Sequence, residues 1–92
     1  MTDLYLDPRA SIDERVADLL GRMTLDEKVA QLGAVWLTSV VTEEAFDADH
    51  VADMLADGIG QVTRIGASTG LRADESARLA NAIQRVLVER TR

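Results

Sequence analysis

The chain has 92 residues, no cysteine and a net charge of −6, with sixteen acidic residues against ten basic ones. The lack of cysteine excludes disulfides, thiolate catalysis and Cys-ligated zinc. The acidic balance predicts no nucleic-acid partner, because like charge repels a phosphate backbone. No apolar run approaches the ~18 residues that span a membrane, and MTDLYLDPRAS has no secretory-signal pattern. These features predict one small domain, or a piece of a larger one, without a membrane partner and with a lean towards the cytoplasm.

The chain is predicted to have three parts. Residues 1–10 form an extended arm, since the apolar positions of DLYLDP alternate before Pro8. Residues 11–33 form two leading helices, and residues 34–92 form a β-α-β-α run. All 92 residues together are expected to be one partial domain.

Two capping boxes predict where the leading helices begin. Ser11 with Glu14, and Thr24 with Glu27, each place a hydroxyl at the N-cap and a carboxylate three residues later. Gly33 is expected to end the second helix. The apolar residues of each helix share one face, which is expected to point inward; they are Ile12, Val16, Leu19, Leu20 and Met23, then Leu25, Val29 and Leu32.

Two strands are predicted in the rest of the chain, Ala34–Val41 and Ile59–Ile65, because both runs are rich in β-branched residues. A helix between them is expected to end at Gly58, and a long helix is expected to begin at Asp74. The inward residues are predicted to be Val51, Met54 and Leu55 in the first of these helices, and Leu79, Ile83, Val86 and Leu87 in the second, with Arg90 and Arg92 at its carboxyl end.

The predicted fold class is α/β, with the element order α-α-β-α-β-α. A strand, helix, strand run implies parallel pairing with a right-handed crossover. A two-stranded parallel sheet has unpaired edges and is marginal by itself. The sequence ends where a further strand would be expected, so we predict an incomplete sheet whose edges could also promote self-association.

The stretch DGIGQVTRIGASTG, residues 57–70, suggests a phosphate-binding loop, but both nucleotide motifs fail. The third glycine of G-x-G-x-x-G is replaced by Thr63, and Gly58 and Gly60 precede the strand that they should follow. The phosphate-binding lysine of the P-loop is also missing. Gly66 and Gly70 are therefore predicted to be turn residues with positive φ.

Three other chemistries lack support. The lone His50 lies among Asp47, Asp49 and Asp53, which predict a helix cap because the run lacks the pattern of a calcium loop. Ser68 and Thr69 have no nucleophile motif around them. The acids lie in helices, at helix starts or in loops, and none follows a strand. We therefore predict no metal, no cofactor and no catalytic residue in the chain.

Two residues near the predicted strands could contact a ligand. Trp36 could stack on a sugar, but its place inside a strand favours burial. Arg64 lies near the carboxyl end of the second strand, the edge at which barrel enzymes place their sites. Arg64 is the candidate substrate-binding residue, with pairing to a nearby acid as the alternative.

The segments YLDP, SIDERVADLLGRMTLDEKVAQL and ADGIGQVTRIGASTGLRADESARLANAIQRVLVERTR resemble the amino-terminal stretch of glycoside hydrolase family three. This family includes bacterial β-glucosidases and β-xylosidases. The resemblance runs from Tyr5 to Arg92, and ERV-DLL-RMTL-EKV-QL is its most specific part.

The resemblance implies the amino-terminal part of a (β/α)8, TIM-like barrel, incomplete here, with Ile59–Ile65 as first barrel strand. It also implies retaining, exo-acting hydrolysis of β-linked glucosides or xylosides without a metal or organic cofactor. The family's catalytic aspartate and glutamate lie further along, so the chain is expected to be an inactive scaffold segment. The alternative is a freestanding small acidic α/β interaction module that self-associates through its strand edges.

Overall fold

The computed structural model describes residues 3–41 and 46–91. It is mostly helical, with 65% helix and 7% strand, and these residues form six α-helices and a two-stranded parallel sheet. In chain order the elements are a 3₁₀ turn (Leu4–Leu6), α1 (Ile12–Arg22), α2 (Leu25–Gln31), β1 (Ala34–Trp36), α3 (Leu37–Val40), α4 (Ala48–Met54), β2 (Gln61–Thr63), α5 (Ile65–Thr69) and α6 (Ala73–Arg90). None of these helices combines the length and apolarity needed to cross a bilayer.

The predicted partial (β/α)8 barrel with the order α-α-β-α-β-α is wrong. Both strands are only three residues long, and two additional short helices, α3 and α5, follow directly after them. The second half of the first predicted strand forms α3, in which Leu37 and Val40 are fully buried. A strand would turn these two side chains to opposite faces, whereas a helical turn places both in the core.

The parallel pairing that the sequence predicts is confirmed. Ala34 lies opposite Gln61, Val35 opposite Val62 and Trp36 opposite Thr63. Since both strands run in one direction, their carboxyl ends meet at the same edge of the sheet. The sheet therefore brings together Trp36 and Thr63, which are far apart in the sequence.

The leading helices begin as predicted. The Ser11 hydroxyl accepts from the backbone N–H of Glu14, and the Glu14 carboxylate accepts from the backbone N–H of Ser11 at 3.0 Å. The same reciprocal pair joins Thr24 and Glu27. Both capping boxes are confirmed because each depends only on contacts within one helical turn.

The predicted extended arm is wrong in its conformation. Residues 4–6 form a 3₁₀ turn that lies on α1. The backbone N–H of Tyr5 donates to the Asp18 carboxylate at 3.0 Å, and Arg15 Nε donates to the Tyr5 carbonyl oxygen at 2.8 Å. These two bonds fix the turn against the middle of the helix.

Within the described residues, the buried core lies in the part of the chain from Leu37 onward. Val51 and Leu55 from α4 and the turn after it, and Ile83 and Val86 from α6, pack with the two buried residues of α3. Leu79 and Leu87 are partly buried beside them, so the predicted inward stripe of α6 is confirmed. Met54 is 43% exposed, which contradicts its predicted inward position.

The predicted burial of the leading helices is wrong. Their apolar residues, here called the α1–α2 face, are 39% to 89% exposed, and no residue of α1 or α2 is buried. The face consists of Ile12, Val16, Leu19, Leu20, Leu25, Val29 and Leu32. Periodicity identified the correct face, but no described element covers it.

The whole chain is more extended than a compact protein of its size. Its accessible surface is 6764 Å², whereas a folded 10.0 kDa monomer is expected to expose ~5200 Å². Its radius of gyration is 15.0 Å, against ~12 Å expected for a domain of this length. The excess surface of ~1500 Å² is consistent with the exposed α1–α2 face.

The helix and turn boundaries agree with the sequence predictions only in part. Gly70 has a φ of 64°, and this left-handed conformation confirms the predicted turn. Gly58 also has positive φ, at 87°, but α4 ends at Met54, before the glycine that was predicted to end it. Gly66 lies inside α5 without positive φ, contrary to prediction. The last helix begins at Ala73 and not at Asp74, because the Glu75 carboxylate accepts from the backbone N–H of the preceding Arg72 at 2.9 Å.

Residues 42–45, with the acids Glu43 and Glu44, and Arg92 at the predicted end of the last helix lie outside the described residues. Arg90, by contrast, closes the carboxyl end of α6 as predicted, and its guanidinium forms an ion pair with Asp49 at 2.8 Å.

Gly60 provides a test of the junction between the leading helices and the sheet. A Cβ at this position would overlap the backbone oxygen of Gln31 and lie 2.8 Å from that of Gly33, whereas one at Gly66 meets nothing within 4 Å. We expect Gly60→Ala to lower the free energy of unfolding by about 2–4 kcal/mol. Gly66→Ala, the matched control, is expected to be neutral or to stabilise by up to ~1 kcal/mol. Urea denaturation measures both; equal effects would contradict the close approach.

Candidate functional site

The carboxyl edge of the strand pair brings together the two ligand candidates found in the sequence. Trp36 is the last residue of β1, and Arg64 directly follows β2. The guanidinium carbon of Arg64 lies over the indole, 4.7 Å from the ring centre. This Trp36–Arg64 pair is therefore a cation–π contact between residues that the parallel register makes neighbours.

Arg64 has an unusual backbone. Its φ of 64° and ψ of 34° are left-handed, and no other non-glycine residue in the described ranges has positive φ. This conformation costs an L-residue about 1–2 kcal/mol. It turns the chain from β2 straight into α5, where the Arg64 carbonyl oxygen accepts from the backbone N–H of Ser68 at 3.0 Å. The turn fixes the direction in which the Arg64 side chain leaves the sheet.

Trp36 is 57% exposed, so the predicted burial of this residue is wrong. The strand ends at Trp36 and α3 begins with the next residue, which leaves the indole at the sheet edge and not beneath a second layer. Thr63 Oγ1 donates to the Val35 carbonyl oxygen at 3.4 Å and links the two strand ends. The edge therefore presents an aromatic ring held beside a cation.

Arg64 keeps its hydrogen-bonding capacity. Within residues 3–41 and 46–91, its side chain forms no ion pair and no hydrogen bond. Pairing with a nearby acid was the alternative suggested by the sequence, and the structure places the guanidinium over an indole. Its role in substrate binding stays a prediction.

The other residues that the sequence singled out have structural roles. Asp47 caps α4, accepting from the backbone N–H of Asp49 at 3.0 Å and of His50 at 3.4 Å, which confirms the predicted cap. Thr69 Oγ1 donates to the Ile65 carbonyl oxygen at 2.6 Å. The part of the chain that the structure describes contains no group of three His, Cys, Asp or Glu residues able to hold a metal ion.

Several exposed acids are held in caps and ion pairs. Asp7 accepts from Arg9, and this hydrogen bond holds the pKa of the Asp7 carboxyl below its ordinary value. The Ser11 hydroxyl lowers the pKa of Glu14 in the same way. A glycosidase acid needs the opposite shift, since it must carry a proton near neutral pH. Both shifts favour the charged, structural form.

A shallow groove of about 220 Å³ lies between β2 and α6, and neither Trp36 nor Arg64 lines it. Its walls combine aliphatic side chains with two glutamines. It is smaller than the ~300 Å³ at which ligand pockets begin. The lining residues include Ile59, Gln61, Val62, Ile65, Ile83, Gln84 and Leu87.

Comparison with known proteins shows a distant relation to two probable β-glucosidases. No family model matches the chain. The chain is 31% identical over 91 residues to a probable β-glucosidase C of Aspergillus oryzae, a match that covers 96% of this chain. A probable β-glucosidase C of Aspergillus flavus is 30% identical over 89 residues. The chain spans about 14% of the length of each of these relatives. Its relation is therefore glycosidase-like and distant.

The lowered carboxyl pKa values predict a dependence of stability on pH. A carboxyl group with a lowered folded-state pKa stabilises the fold above its unfolded pKa, near 4.5 for Glu14, and loses that contribution as pH falls through the lower folded value. We expect helicity, measured by circular dichroism between pH 6 and 2, to fall below pH ~4.5. Glu14→Gln should flatten this decrease, whereas Asp57→Asn, in the turn after α4, should leave it unchanged. Identical curves for the two variants would contradict the role of the cap.

Proposed function

We propose that this chain is a scaffold segment of a retaining, exo-acting β-glycosidase that hydrolyses β-linked glucosides or xylosides. The single observation that supports this most is the match to two probable β-glucosidases over at least 94% of the chain and 14% of each relative. In this proposal the segment shapes and covers the site, and the catalytic carboxylates belong to polypeptide outside these 92 residues.

The chemistry of the acids supports an inactive segment. A retaining glycosidase holds two carboxyl groups ~5–5.5 Å apart across the bond, one as nucleophile and one as acid. In the described residues, Asp18 pairs with Arg22 at 3.0 Å and Asp74 pairs with Arg78 at 3.0 Å. Glu14, Glu27 and Asp47 are used in helix caps. These partners hold the carboxylates in structural positions.

The α1–α2 face supports a scaffold that is covered by further polypeptide. A standard interface buries ~800 Å² on each partner, and the chain exposes ~1500 Å² more than a compact monomer of its mass. The face is made of aliphatic side chains on helices whose caps are complete. Such a surface is typical of a docking face, and we assign its occupant to another part of the same glycosidase.

Arg64 is proposed to contact the substrate. It stands at the carboxyl edge of two parallel strands, which is where open and closed parallel sheets bind ligands. Arg64 is an exposed residue, and its guanidinium stacks on the indole of Trp36. The segment would thereby supply one binding group to a site whose reacting groups lie elsewhere.

The alternative function, a self-associating interaction module, predicts a different occupant for the exposed surface. A second copy would cover the α1–α2 face or pair with a strand edge. Sedimentation equilibrium separates the two proposals. A monomer at micromolar concentration supports the scaffold, and a dimer supports the interaction module.

The purified chain is expected to show no hydrolysis of aryl β-glucosides or aryl β-xylosides above the buffer blank, because the pair of carboxyl groups that a retaining glycosidase needs is proposed to lie outside these 92 residues. Release of the aryl chromophore measures this directly. Activity that disappears on changing one carboxylate to its amide would contradict the proposal. Activity that survives every such change identifies a contaminating enzyme.

The exposure of the α1–α2 face can be tested with one substitution made at two places. Leu32 is 89% exposed and Leu37 is fully buried. In the monomer, Leu32→Ala should change the free energy of unfolding by less than ~0.5 kcal/mol, whereas Leu37→Ala should lower it by about 2–5 kcal/mol. Urea unfolding at two protein concentrations measures both. A large, concentration-dependent effect of Leu32→Ala would show that a second copy covers this face.

A further inference from the structure

We propose that the Trp36–Arg64 pair binds a sugar that carries a carboxylate, such as a hexuronate. This inference rests on the proposed function and adds an acidic sugar unit of the substrate, bound at Arg64 beside the β-linked glucosyl or xylosyl unit that the proposed enzyme removes. It depends on four features of the pair: its unpaired charge, the geometry of its contact, its exposed ring and the left-handed backbone of Arg64.

The first feature is an unpaired cation in an acid-rich chain. Sixteen acids face ten bases in the sequence, and the ion pairs of the described residues use Arg9, Arg22, Arg72, Arg78 and Arg90. In the same residues the Arg64 guanidinium has no carboxylate partner, although it is exposed and follows a strand. An anionic ligand would supply a carboxylate partner for the Arg64 guanidinium.

The second feature is the geometry of the contact. With its carbon 4.7 Å from the ring centre, the guanidinium lies over the face of the indole. An arginine stacked on an aromatic ring keeps its N–H groups available for hydrogen bonds. Those donors form a planar fork that matches a carboxylate with two parallel hydrogen bonds. The stacking thus orients the N–H donors of the guanidinium before a ligand binds.

The third feature is the exposed surface of Trp36. More than half of this residue is open to solvent, at 57%, and an indole is a large apolar surface next to a polar group. The C–H face of a pyranose ring can pack on such a surface while a carboxylate at C6 reaches the guanidinium. A small carboxylate without a ring uses only the arginine, and a neutral sugar uses only the indole.

The left-handed backbone of Arg64 also favours a role in ligand binding. A residue held in this region costs free energy that the surrounding structure must compensate, and such residues concentrate at ligand sites. Here the strained residue is the same one that carries the unpaired charge. Asparagine or glycine would relieve the strain but would lose the fork.

Trp36 is the sole tryptophan of the chain, so its fluorescence reports ligand binding at the pair directly. The titration uses sodium glucuronate, glucose and sodium acetate, each added at constant ionic strength. We expect a saturable change with glucuronate at an apparent Kd about fivefold or more below those of glucose and acetate. Equal affinity for glucose and glucuronate overturns the proposal, and so does equal affinity for acetate and glucuronate, or no response at all.

Variants locate the binding. Arg64→Gln should abolish the preference for glucuronate over glucose, and Arg64→Lys, which retains the charge but not the fork, should reduce it. Arg85→Gln is the matched control, because it removes one exposed positive charge of α6. An Arg85→Gln effect as large as that of Arg64→Gln would overturn the proposal. The three titrations of the unmodified chain decide it even if an Arg64 variant fails to fold.

Failure here is distinguishable from failure of the proposed function. If the chain shows no preference for glucuronate, the proposed ligand class is rejected. The hydrolysis assay and the sedimentation experiment still test the scaffold proposal independently. Hydrolysis by the pure chain, or a stable dimer through the α1–α2 face, would reject the scaffold while leaving the fluorescence titration intact.

Discussion

The parallel pairing of two three-residue strands is the interaction on which the rest of this structure depends. Val35 opposite Val62 lies at its centre, and it joins a part of the chain without buried residues to a part that contains the whole core. Gly60 permits this joint, since a side chain there would collide with the backbone at the end of α2. The same register places Trp36 beside Arg64. One short sheet therefore holds the architecture together and creates the candidate site.

Features that depend on a single helical turn could be predicted from the sequence. The two capping boxes and the inward stripe of α6 have the predicted partners and faces, because their determinants lie three or four residues apart. The parallel sense of the strands could also be predicted from the helical connection between them. The predicted length of each strand is wrong. Burial of Leu37 and Val40 on one face outweighed the β-branched composition of the run, and a barrel-like sheet does not form.

The remaining failures concern contacts between elements. Periodicity identified the apolar side of α1 and α2, but it carries no information about what covers that side, and residues 3–41 and 46–91 supply no cover. Trp36 was predicted to be buried because a longer strand would have carried it under a second layer. The position of Arg64 at the end of the second strand was predictable. Its left-handed conformation and its contact with Trp36 were not, because they depend on a turn that has no local sequence motif.

The position of the core has a consequence for synthesis on the ribosome. All six core residues of the described ranges come from position 37 onward, so α1 and α2 are translated before this core. At ~5–20 residues per second, roughly one to five seconds separate the end of β1 from the end of β2. During that interval the exposed α1–α2 face has no core of this chain to pack against. Factors that shield emerging polypeptides would therefore find an apolar surface at α1 and α2 before the core residues of this chain are made.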